Sequence, residues 1–393
     1  TADMVYLIMP DRFANGDPGN DSTDDTAEDA DRTRLGGRHG GDIQGVIDHL
    51  DYISELGATY IWTTPFLEDN DPRGSYHGYA ASDYYHIDSR FGSNELYKTL
   101  VEKAREKGLG IIMDIVPNHC SYVHWWMKDL PFEDWVHQFP AYTGTNGKFS
   151  THMDPNASKA DLHVHESGWF SRGMPDMNLN NPYMLKYFQQ WGIWWIEFSG
   201  LDGFRVDTYP YNEKEPMAQW CASIINEYPY FNIVGECWTG NIPQLAYWQG
   251  GNANNDGFDS HLPSIMDFPL HDAIRSGLAP SQQQNGRGGR GGSIIFIADA
   301  KLSCRWPDTL VIDVTERKVR GYVPYMGSYL YIDETGRVLD VQDACREAAP
   351  MVKGLSFGSF TLGEVIPVEN PEALDIVLQV SQLMEKYELL DLV

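Results

Sequence analysis

Two short apolar segments in the middle of the chain each end in a carboxylate. Residues 203–207 read GFRVD and end at Asp207, and residues 233–236 read IVGE and end at Glu236. Residues 215–228 between them are long enough for a helix, so the pattern predicts two parallel strands joined by a helix. The carboxyl ends of neighbouring parallel strands meet at one edge of a sheet. Two carboxyl groups placed there are what glycosidic bond cleavage needs, one to attack the anomeric carbon and one to protonate the leaving oxygen.

The residues around the two acids support this interpretation. Arg205 lies two residues before Asp207, and side chains two apart on a strand share a face. The guanidinium is expected to keep Asp207 ionised and to fix its orientation. Glu236 must hold its proton near neutral pH, which Cys237 and Trp238 favour by making its setting less polar. A structural ion pair at a strand end is the alternative interpretation of Asp207 and Arg205.

The composition limits the possible partners. The formal net charge is −27 and 42% of the 393 residues are apolar. Such acidity argues against nucleic acid and anionic membrane surfaces as partners and suits a neutral substrate. The 22 Tyr and 12 Trp residues either stack on sugar rings or fill a large core. No apolar run is long enough to span a membrane, and five scattered Cys residues predict buried free thiols.

Strand and helix patterns alternate along the first two-thirds of the chain. Strands are predicted at residues 4–9, 58–64, 110–116, 203–207, 233–236 and 264–268, and helices at 42–56, 94–107, 181–199 and 215–228. The periodicity fades over residues 118–176, which predicts an inserted subdomain after the third strand. The alternation predicts an α/β fold, a (β/α)8-type (TIM) barrel truncated after about six βα units.

The sequence changes character after this region. The stretch QQQNGRGGRGGS at residues 282–293 is of low complexity and predicts a linker. Further on, antiparallel strands are predicted at residues 308–317, 329–333 and 338–341, and a helix at 371–389. The predicted domains are therefore a barrel at 1–283, a Gly- and Arg-rich linker at 284–296 and a small α+β module at 297–393.

Five motifs of the first module closely resemble those of the α-amylase family, glycoside hydrolase family 13, and especially its cyclomaltodextrinase/neopullulanase branch. In chain order they are YHGY (76–79), DIVPNH (114–119), MPDMN (174–178), GFRVD (203–207) and GE (235–236). The resemblance covers about residues 3–280 and implies that Asp207 is the nucleophile and Glu236 the general acid/base. It also implies substrate-binding roles, with His119 donating to a sugar hydroxyl, for Arg205, His119, Tyr79, His77 and Asp114. The implied activity is retaining hydrolysis of α-1,4-glucosidic bonds in maltooligosaccharides or cyclodextrins.

A loop rich in short oxygen-bearing side chains follows the first strand. Residues 15–21 read NGDPGND, and residues 40–42 read GGD. Such side chains at alternating positions in a tight loop are what Ca²⁺ requires. The family resemblance implies that the Ca²⁺ ligands are Asn15, Asp17, Asn20, Asp21, Asp42 and the carbonyl of Gly40. A solvated acidic turn is the alternative, because residues 21–31 are rich in acidic residues.

The resemblance to the α-amylase family stops before the barrel is complete. The family's third carboxylate, an Asp at the end of the seventh strand, has no evident counterpart after residue 240, where His271-Asp272 is the only His-Asp pair. Residues 298–390 instead resemble the extracytoplasmic part of the bacterial cell-division family FtsQ/DivIB. The motifs are RWPDTLVIDVTER (305–317) and YLYIDETG (329–336). This second resemblance implies a chimeric chain, a protein partner for the C-terminal module, and an extracytoplasmic location (periplasmic or cell surface).

Three functions stay open from the sequence. The leading one is an α-glucan hydrolase, with turnover reduced by orders of magnitude because the missing third acid acts in the transition state. The second is a non-catalytic cell-division interaction module fused to a hydrolase remnant. The third is a protein that binds glucan without hydrolysing it.

Overall fold

The computed structural model describes residues 3–278, 297–305, 309–342 and 349–387. The chain divides into two compact units, Thr1–Pro269 and Leu270–Val393. The predicted linker at 284–296 lies outside the described residues, and the domain boundaries stay predictions. In the part of the chain that the structure describes, no helix is long and apolar enough to cross a membrane.

A parallel sheet forms the centre of the first unit. In chain order the strands of the whole chain are β1 (Val5–Ile8), β2 (Tyr60–Thr63), β3 (Leu67–Glu68), β4 (Asp83–Ile87), β5 (Gly110–Ile115), β6 (Gly203–Val206), β7 (Asn232–Gly235), β8 (Ser264–Ile265), β9 (Ile297–Arg305), β10 (Thr309–Glu316), β11 (Gly321–Tyr325), β12 (Ser328–Ile332) and β13 (Val338–Gln342). The central sheet has the order β1–β2–β5–β6–β7–β8, and all neighbouring pairs in it are parallel. Sheet order follows chain order, as in a (β/α) barrel that stops after six strands, so the predicted fold class is confirmed.

Helices lie between the strands of this sheet, and others belong to the inserted segment and to the second unit. They are α1 (Pro10–Phe13), α2 (Ile43–Asp48), α3 (Leu50–Glu55), α4 (Asn94–Glu106), α5 (Lys159–Ser167), α6 (Pro182–Ser199), α7 (Lys214–Glu227), α8 (Ile242–Tyr247), α9 (Phe268–Leu278) and α10 (Pro371–Lys386). Local sequence explains their ends. Helix α6 begins after Asn181, whose side chain accepts a hydrogen bond from Tyr183 N at 2.9 Å, and has Pro182 at its first position. It ends at Gly200, which adopts the left-handed conformation at φ +71°.

The single helix predicted at residues 42–56 is divided into α2 and α3 at His49. The backbone of His49 leaves the helical region, with φ −112° and ψ 14°. Its ring nitrogen Nδ1 donates to Gly45 O at 2.8 Å, the carbonyl that the His49 N–H would bind in a continuous helix. The N–H bonds Val46 O instead, at 3.1 Å. A side chain that competes for a backbone acceptor therefore interrupts the helix.

Tryptophan rings fill much of the core of the first unit. Trp191 and Trp195 on α6 and Trp220 on α7 are buried. Trp195 Nε1 donates to Tyr84 O at 3.0 Å, and Trp220 Nε1 donates to Phe188 O at 3.1 Å, so the polar edges of the rings are satisfied. These aromatic residues serve the core and are not free to stack on a sugar.

The inserted segment at residues 118–176 begins and ends at one place. His119 and Asp176 form an antiparallel bridge that closes its base. Helix α5 lies within the segment, together with 3₁₀ turns at Trp125–Met127 and Phe149–His152. The sequence predicted this segment as irregular, because these short elements carry too few residues to show a periodicity.

The second unit is built from antiparallel strands. Strand β9 pairs with β10, and β11, β12 and β13 form a three-stranded antiparallel sheet. Leu330, Ile332, Val338 and Leu374 belong to its hydrophobic core, with Leu374 contributed by α10. The predicted antiparallel strands are present, whereas β9 and β11 were not predicted.

Candidate active site

The carboxyl ends of three neighbouring strands bring the predicted acids together. Asp114 belongs to β5 and lies opposite Arg205 on β6. Asp207 follows β6, and its backbone N–H donates to Ile115 O at 2.9 Å. Glu236 follows β7, and its backbone N–H donates to Val206 O, also at 2.9 Å. The parallel register therefore continues past the strand ends and fixes both catalytic candidates at one edge of the sheet.

One guanidinium holds all three carboxyl groups. Arg205 Nη1 donates to Asp114 Oδ1 at 2.9 Å and to Asp207 Oδ1 at 2.7 Å. Arg205 Nη2 lies 2.6 Å from Glu236 Oε1. The two predicted catalytic acids thus face the same space, as the sequence predicted. Arg205 is 3% exposed, so these contacts are made away from solvent and are weakly screened.

One positive charge cannot neutralise three carboxylates. Burial raises the pKa of Asp114 to about 7, against the opposing charge of Arg205. Burial also raises the pKa of Glu236, and the negative charge of Asp207 raises it further. The pKa of Asp207 is raised by burial as well, while Arg205 acts to lower it. The site therefore favours keeping a proton on one of its acids near neutral pH, which a general acid requires.

The Glu236 carboxyl is oriented by an unusual turn after β6. Thr208 adopts a left-handed conformation at φ +50°, which is rare for a β-branched residue. This conformation lets Thr208 N donate to Glu236 Oε2 at 3.1 Å. Strained backbone of this kind persists only where surrounding contacts maintain it.

The acids open into a cavity of about 500 Å³. This volume lies within the range of small-molecule sites. Its lining includes every predicted catalytic and substrate-binding residue except Asp114, together with side chains from the inserted segment and from loops, namely His77, Tyr79, His119, Phe170, Met174, Arg205, Asp207, Thr208, Tyr211, Glu236 and Trp238. Such a mixture of acids and flat apolar faces fits a sugar, whose hydroxyl groups need polar partners and whose C–H faces pack on aromatic rings.

Asp114 lies behind this cavity and is not among the residues that line it. Asp114 is 1% exposed. Its Oδ2 accepts hydrogen bonds from Tyr79 Oη at 3.0 Å and from Trp62 Nε1 at 3.0 Å. The geometry therefore lets Asp114 orient Tyr79 and Arg205 from behind the cavity.

The two histidines of the predicted set line the cavity. His119 Nε2 lies 3.1 Å from Tyr79 O, to which it donates. Burial lowers the pKa of His119 to about 3. Burial also lowers the pKa of His77, whose Nδ1 accepts from Tyr79 N at 2.9 Å. Both rings hold the backbone of Tyr79, and no sugar is needed to satisfy these nitrogens.

Besides Thr208, four lining residues were given no site role by sequence reasoning. Phe170 stacks on His119 at 4.9 Å between ring centroids, and Tyr211 packs edge-on against Phe170 at 5.6 Å. Trp238 is 69% exposed and stacks on Phe268 at 5.3 Å, while Met174 completes the wall. The position of Trp238 two residues after Glu236 was the one signal in the sequence, because it reaches the same strand end.

The loop predicted to bind Ca²⁺ holds several oxygen atoms close together. Asn15 Oδ1 and Asn20 Oδ1 are buried and have no hydrogen-bond partner within the described residues. Asn15 Nδ2 donates to Asp21 Oδ1 at 2.5 Å. Gly40 adopts φ +81°, and a Cβ there would lie 2.4 Å from Asp21 Oδ1, so only glycine fits. Two orphaned amide oxygens beside a carboxylate fit a hard cation.

Two members of the predicted ligand set are engaged otherwise. Asp42 Oδ1 accepts from Gly45 N at 2.6 Å and caps helix α2, and Asp42 Oδ2 accepts from Asp17 N at 2.8 Å. Asp17 Oδ1 accepts from Gly19 N at 3.0 Å. Among the described residues no group of three or more His, Cys, Asp or Glu side chains is arranged to hold a metal ion. Any metal here would depend on the amide and carbonyl oxygens in addition to one or two carboxylates.

Comparison with known proteins identifies the first unit. The model of the alpha amylase catalytic domain matches residues 7–262, more than half of the chain. The chain belongs to the alpha-amylase family. It is 31% identical over 280 residues to a cyclomaltodextrinase of Geobacillus thermopakistaniensis, a match that covers 68% of this chain and 42% of that relative. It is also 31% identical over 282 residues to neopullulanase 2 of Thermoactinomyces vulgaris, covering 69% of this chain and 43% of that protein.

Solved structures of the family superpose on the same part of the chain. The Anoxybacillus alpha-amylase has a TM-score of 0.58 and 30% identity, covering 70% of this chain and 54% of the other. The alpha-amylase of Geobacillus thermoleovorans, solved with acarbose, has a TM-score of 0.54 and 30% identity, covering 70% and 53%. The chain thus spans about two-fifths of the length of its curated relatives and about half of these structures.

Proposed function

We propose that the chain is a retaining α-glucan hydrolase that acts on α-1,4-glucosidic bonds of maltooligosaccharides or cyclodextrins. The observation that carries the proposal is the contact of Asp207 and Glu236 with one guanidinium inside the cavity. The names of relatives, cyclomaltodextrinase and neopullulanase 2, support the substrate class.

The geometry supports a two-step mechanism. Asp207 attacks the anomeric carbon while Glu236 gives its proton to the leaving glycosidic oxygen, which produces a glycosyl ester on Asp207. Glu236, now ionised, then removes a proton from water, and the resulting nucleophile cleaves the ester with retention of configuration. Arg205 keeps Asp207 in the ionised form that attack requires, because its charge acts to lower the pKa of that carboxyl.

Release of reducing ends from maltoheptaose and from β-cyclodextrin tests the proposal. We expect hydrolysis by the wild-type chain and a loss of at least about 10²-fold in Asp207→Asn and in Glu236→Gln. Asp51→Asn is the control, because Asp51 is 73% exposed on α3 in a surface ion pair that contributes little. Proton NMR of the first product gives the anomeric configuration. Initial release of the β-anomer would contradict the retaining mechanism.

We propose further that the loop after β1 binds Ca²⁺ through Asn15, Asn20, Asp21 and the Gly40 carbonyl, with a contribution from Asp17. The two amide oxygens without partners support this set. A bound ion would tie the loop together and would take no part in the chemistry at Asp207. The expected result is a higher melting temperature with Ca²⁺ than with EDTA in wild type, and no such difference in Asn15→Ala. A Ca²⁺ response that survives Asn15→Ala would contradict the assignment.

We also propose that the C-terminal module binds a protein partner. Its resemblance to FtsQ/DivIB suggests a protein partner and an extracytoplasmic location. A pull-down that uses the full chain as bait and purified cell-division proteins as prey tests for the protein partner. Recovery of none of them would count against that role.

A further inference from the structure

One carbonyl group beside the catalytic strand accepts hydrogen bonds from two histidines. Pro210 O lies 2.9 Å from His152 Nε2 and 2.8 Å from His165 Nε2. Because a carbonyl oxygen only accepts, both ring nitrogens carry a proton and donate. His152 ends a 3₁₀ turn of the inserted segment and His165 belongs to helix α5, so two separate elements of that segment converge on one atom.

Pro210 is part of the turn that presents the catalytic groups. The turn follows Asp207 directly and contains the left-handed Thr208, whose N–H orients Glu236. Tyr211, the next residue after Pro210, lines the cavity. The turn is closed from inside by Tyr211 N, which donates to Thr208 O at 3.0 Å. A displacement of Pro210 would therefore move groups on both sides of the cavity.

The imidazole rings of His152 and His165 are neutral hydrogen-bond donors. Burial lowers the pKa of His152 to about 3 and that of His165 to about 4. Both side chains are buried, and their centroids lie 4.9 Å apart with the rings nearly perpendicular. Glu166 Oε1 lies 3.4 Å from His152 Nδ1, and burial raises the pKa of this carboxyl to about 7. This contact is not a hydrogen bond, so the donation from Nε2 to Pro210 O is what fixes the proton of His152 on Nε2.

Further contacts connect the same elements. The ring of Tyr211 packs edge-on against Phe149 at 5.1 Å and lies 5.6 Å from His165. Lys214 Nζ, on the first residue of α7, donates to His152 O at 3.1 Å. The inserted segment is thus attached to the turn at residues 208–211 and to helix α7, which follows that turn.

We propose that His152 and His165 are positioning residues that hold the turn at residues 208–211, and that the inserted segment thereby orients Asp207 and Tyr211. The inference rests on the proposed function of Asp207. The alternative is that the two rings only fill space, in which case their N–H groups are of no consequence for the turn.

Paired substitutions separate hydrogen bonding from volume. In His152→Leu and His165→Leu, each of which removes the donor, we expect kcat on maltoheptaose to fall about 10- to 100-fold. KM should stay within about threefold of the wild-type value, because binding in the rest of the cavity is retained. His152→Gln and His165→Gln keep an N–H donor and should recover most of the loss. His163→Leu, on the exposed side of α5, is the control and should leave kcat unchanged.

Hydrogen exchange without any sugar gives a second readout that does not depend on activity. The Leu variants should exchange the amides of residues 208–212 at least about 10-fold faster than wild type, while the amides of β5 stay unchanged. Equal acceleration in β5 would indicate general destabilisation and would overturn the proposal. So would Gln variants as impaired as the Leu variants. If the wild-type chain does not hydrolyse maltoheptaose, the proposed function fails, and the exchange comparison still decides the positioning role.

Discussion

Arg205 is the single cation among three buried carboxyl groups, so its removal tests how the site controls protonation. In Arg205→Met we expect kcat/KM to fall by roughly 10²–10³-fold. The acid limb of its pH profile should move to higher pH, because Arg205 acts to lower the pKa of Asp207, which must be ionised to attack. Arg205→Lys keeps the charge and should fall between wild type and Met. The measurement is kcat/KM from about pH 4 to about pH 9, a range that includes the titration of shifted carboxyl groups. An acid limb that does not move in the Met variant would contradict the assignment.

Glu166 gives a prediction about stability and pH. Burial raises its pKa from the ordinary value of 4.5 to about 7, with a further rise from Glu215 and an opposing effect of Lys214. A raised carboxyl pKa adds stability at low pH that is lost as pH rises from about 4.5 through about 7. Glu166→Gln cannot titrate at this position. Its free energy of unfolding should therefore equal that of wild type below about pH 4.5 and exceed it by about 1–3 kcal/mol above about pH 7. Urea unfolding across this pH range measures the difference. The exposed Glu102→Gln is the control, and a parallel pH dependence in the wild-type and Glu166→Gln chains would refute the prediction.

Among single residues, the sequence predicted the site residues that lie at or near the ends of strands. Asp207, Glu236 and Arg205 could be placed because strands have a period of two and parallel strands share an edge. Tyr211 and His165 could not, because they come from segments without periodicity and reach the site only through tertiary contacts. The sequence identified Asp114 by its motif and could not tell that it lies behind the cavity.

Helix α2 and the loop after β1 depend on one carboxylate, Asp42, which the sequence assigned to a metal. Asp42→Ala removes the cap of α2 and the acceptor of two loop amides, so we expect a loss of about 2–4 kcal/mol in the free energy of unfolding. The loss should be equal with Ca²⁺ and with EDTA. Asp21→Asn should cost stability only when Ca²⁺ is present, and Asp48→Asn, exposed on the same helix, should cost little in either buffer. A Ca²⁺-dependent loss in Asp42→Ala would restore Asp42 to the ligand set.

At the scale of elements, long periodic segments were predictable and short ones were not. The helix at residues 94–107 agrees with α4 to within one residue, since Ser93 caps it and Gly108 follows it in the left-handed conformation. The division at His49 depends on a side chain that competes for a backbone acceptor, and apolar periodicity continues across it. Strands β3 and β4, which pair with each other beside the inserted segment's base, are too short or too mixed in composition to be recognised.

Over the whole molecule, the hydrophobic side chains of the described residues form one core in each of the two units. One core surrounds the parallel sheet and the other lies within the antiparallel strands and α10. The six strands of the central parallel sheet could be predicted, because six apolar runs of strand length precede the change in composition. What the second unit does could not be derived from its pattern, because small antiparallel sheets serve many functions.

The six-stranded sheet limits which groups reach the substrate. Two carboxylates line the cavity: Asp207, which follows β6, and Glu236, which follows β7. A third acid at a further strand end would bind sugar hydroxyls mainly in the transition state. The described residues bring no third carboxylate to the cavity lining, so we expect a lower kcat and a similar KM. We therefore expect kcat on maltoheptaose roughly 10²–10⁴-fold below that of a full-length cyclomaltodextrinase assayed in parallel.

Turnover equal to that of the relative would show that another acid contributes, and Asp267→Asn, just after β8, would then identify it by a loss of kcat at constant KM. Binding of maltohexaose in a calorimeter without release of reducing ends would instead identify a glucan-binding protein. The rate of hydrolysis distinguishes a hydrolase from a glucan-binding protein better than the affinity does. A cavity with the same lining would bind sugar in either protein, whereas only a hydrolase needs the two acids to act in sequence.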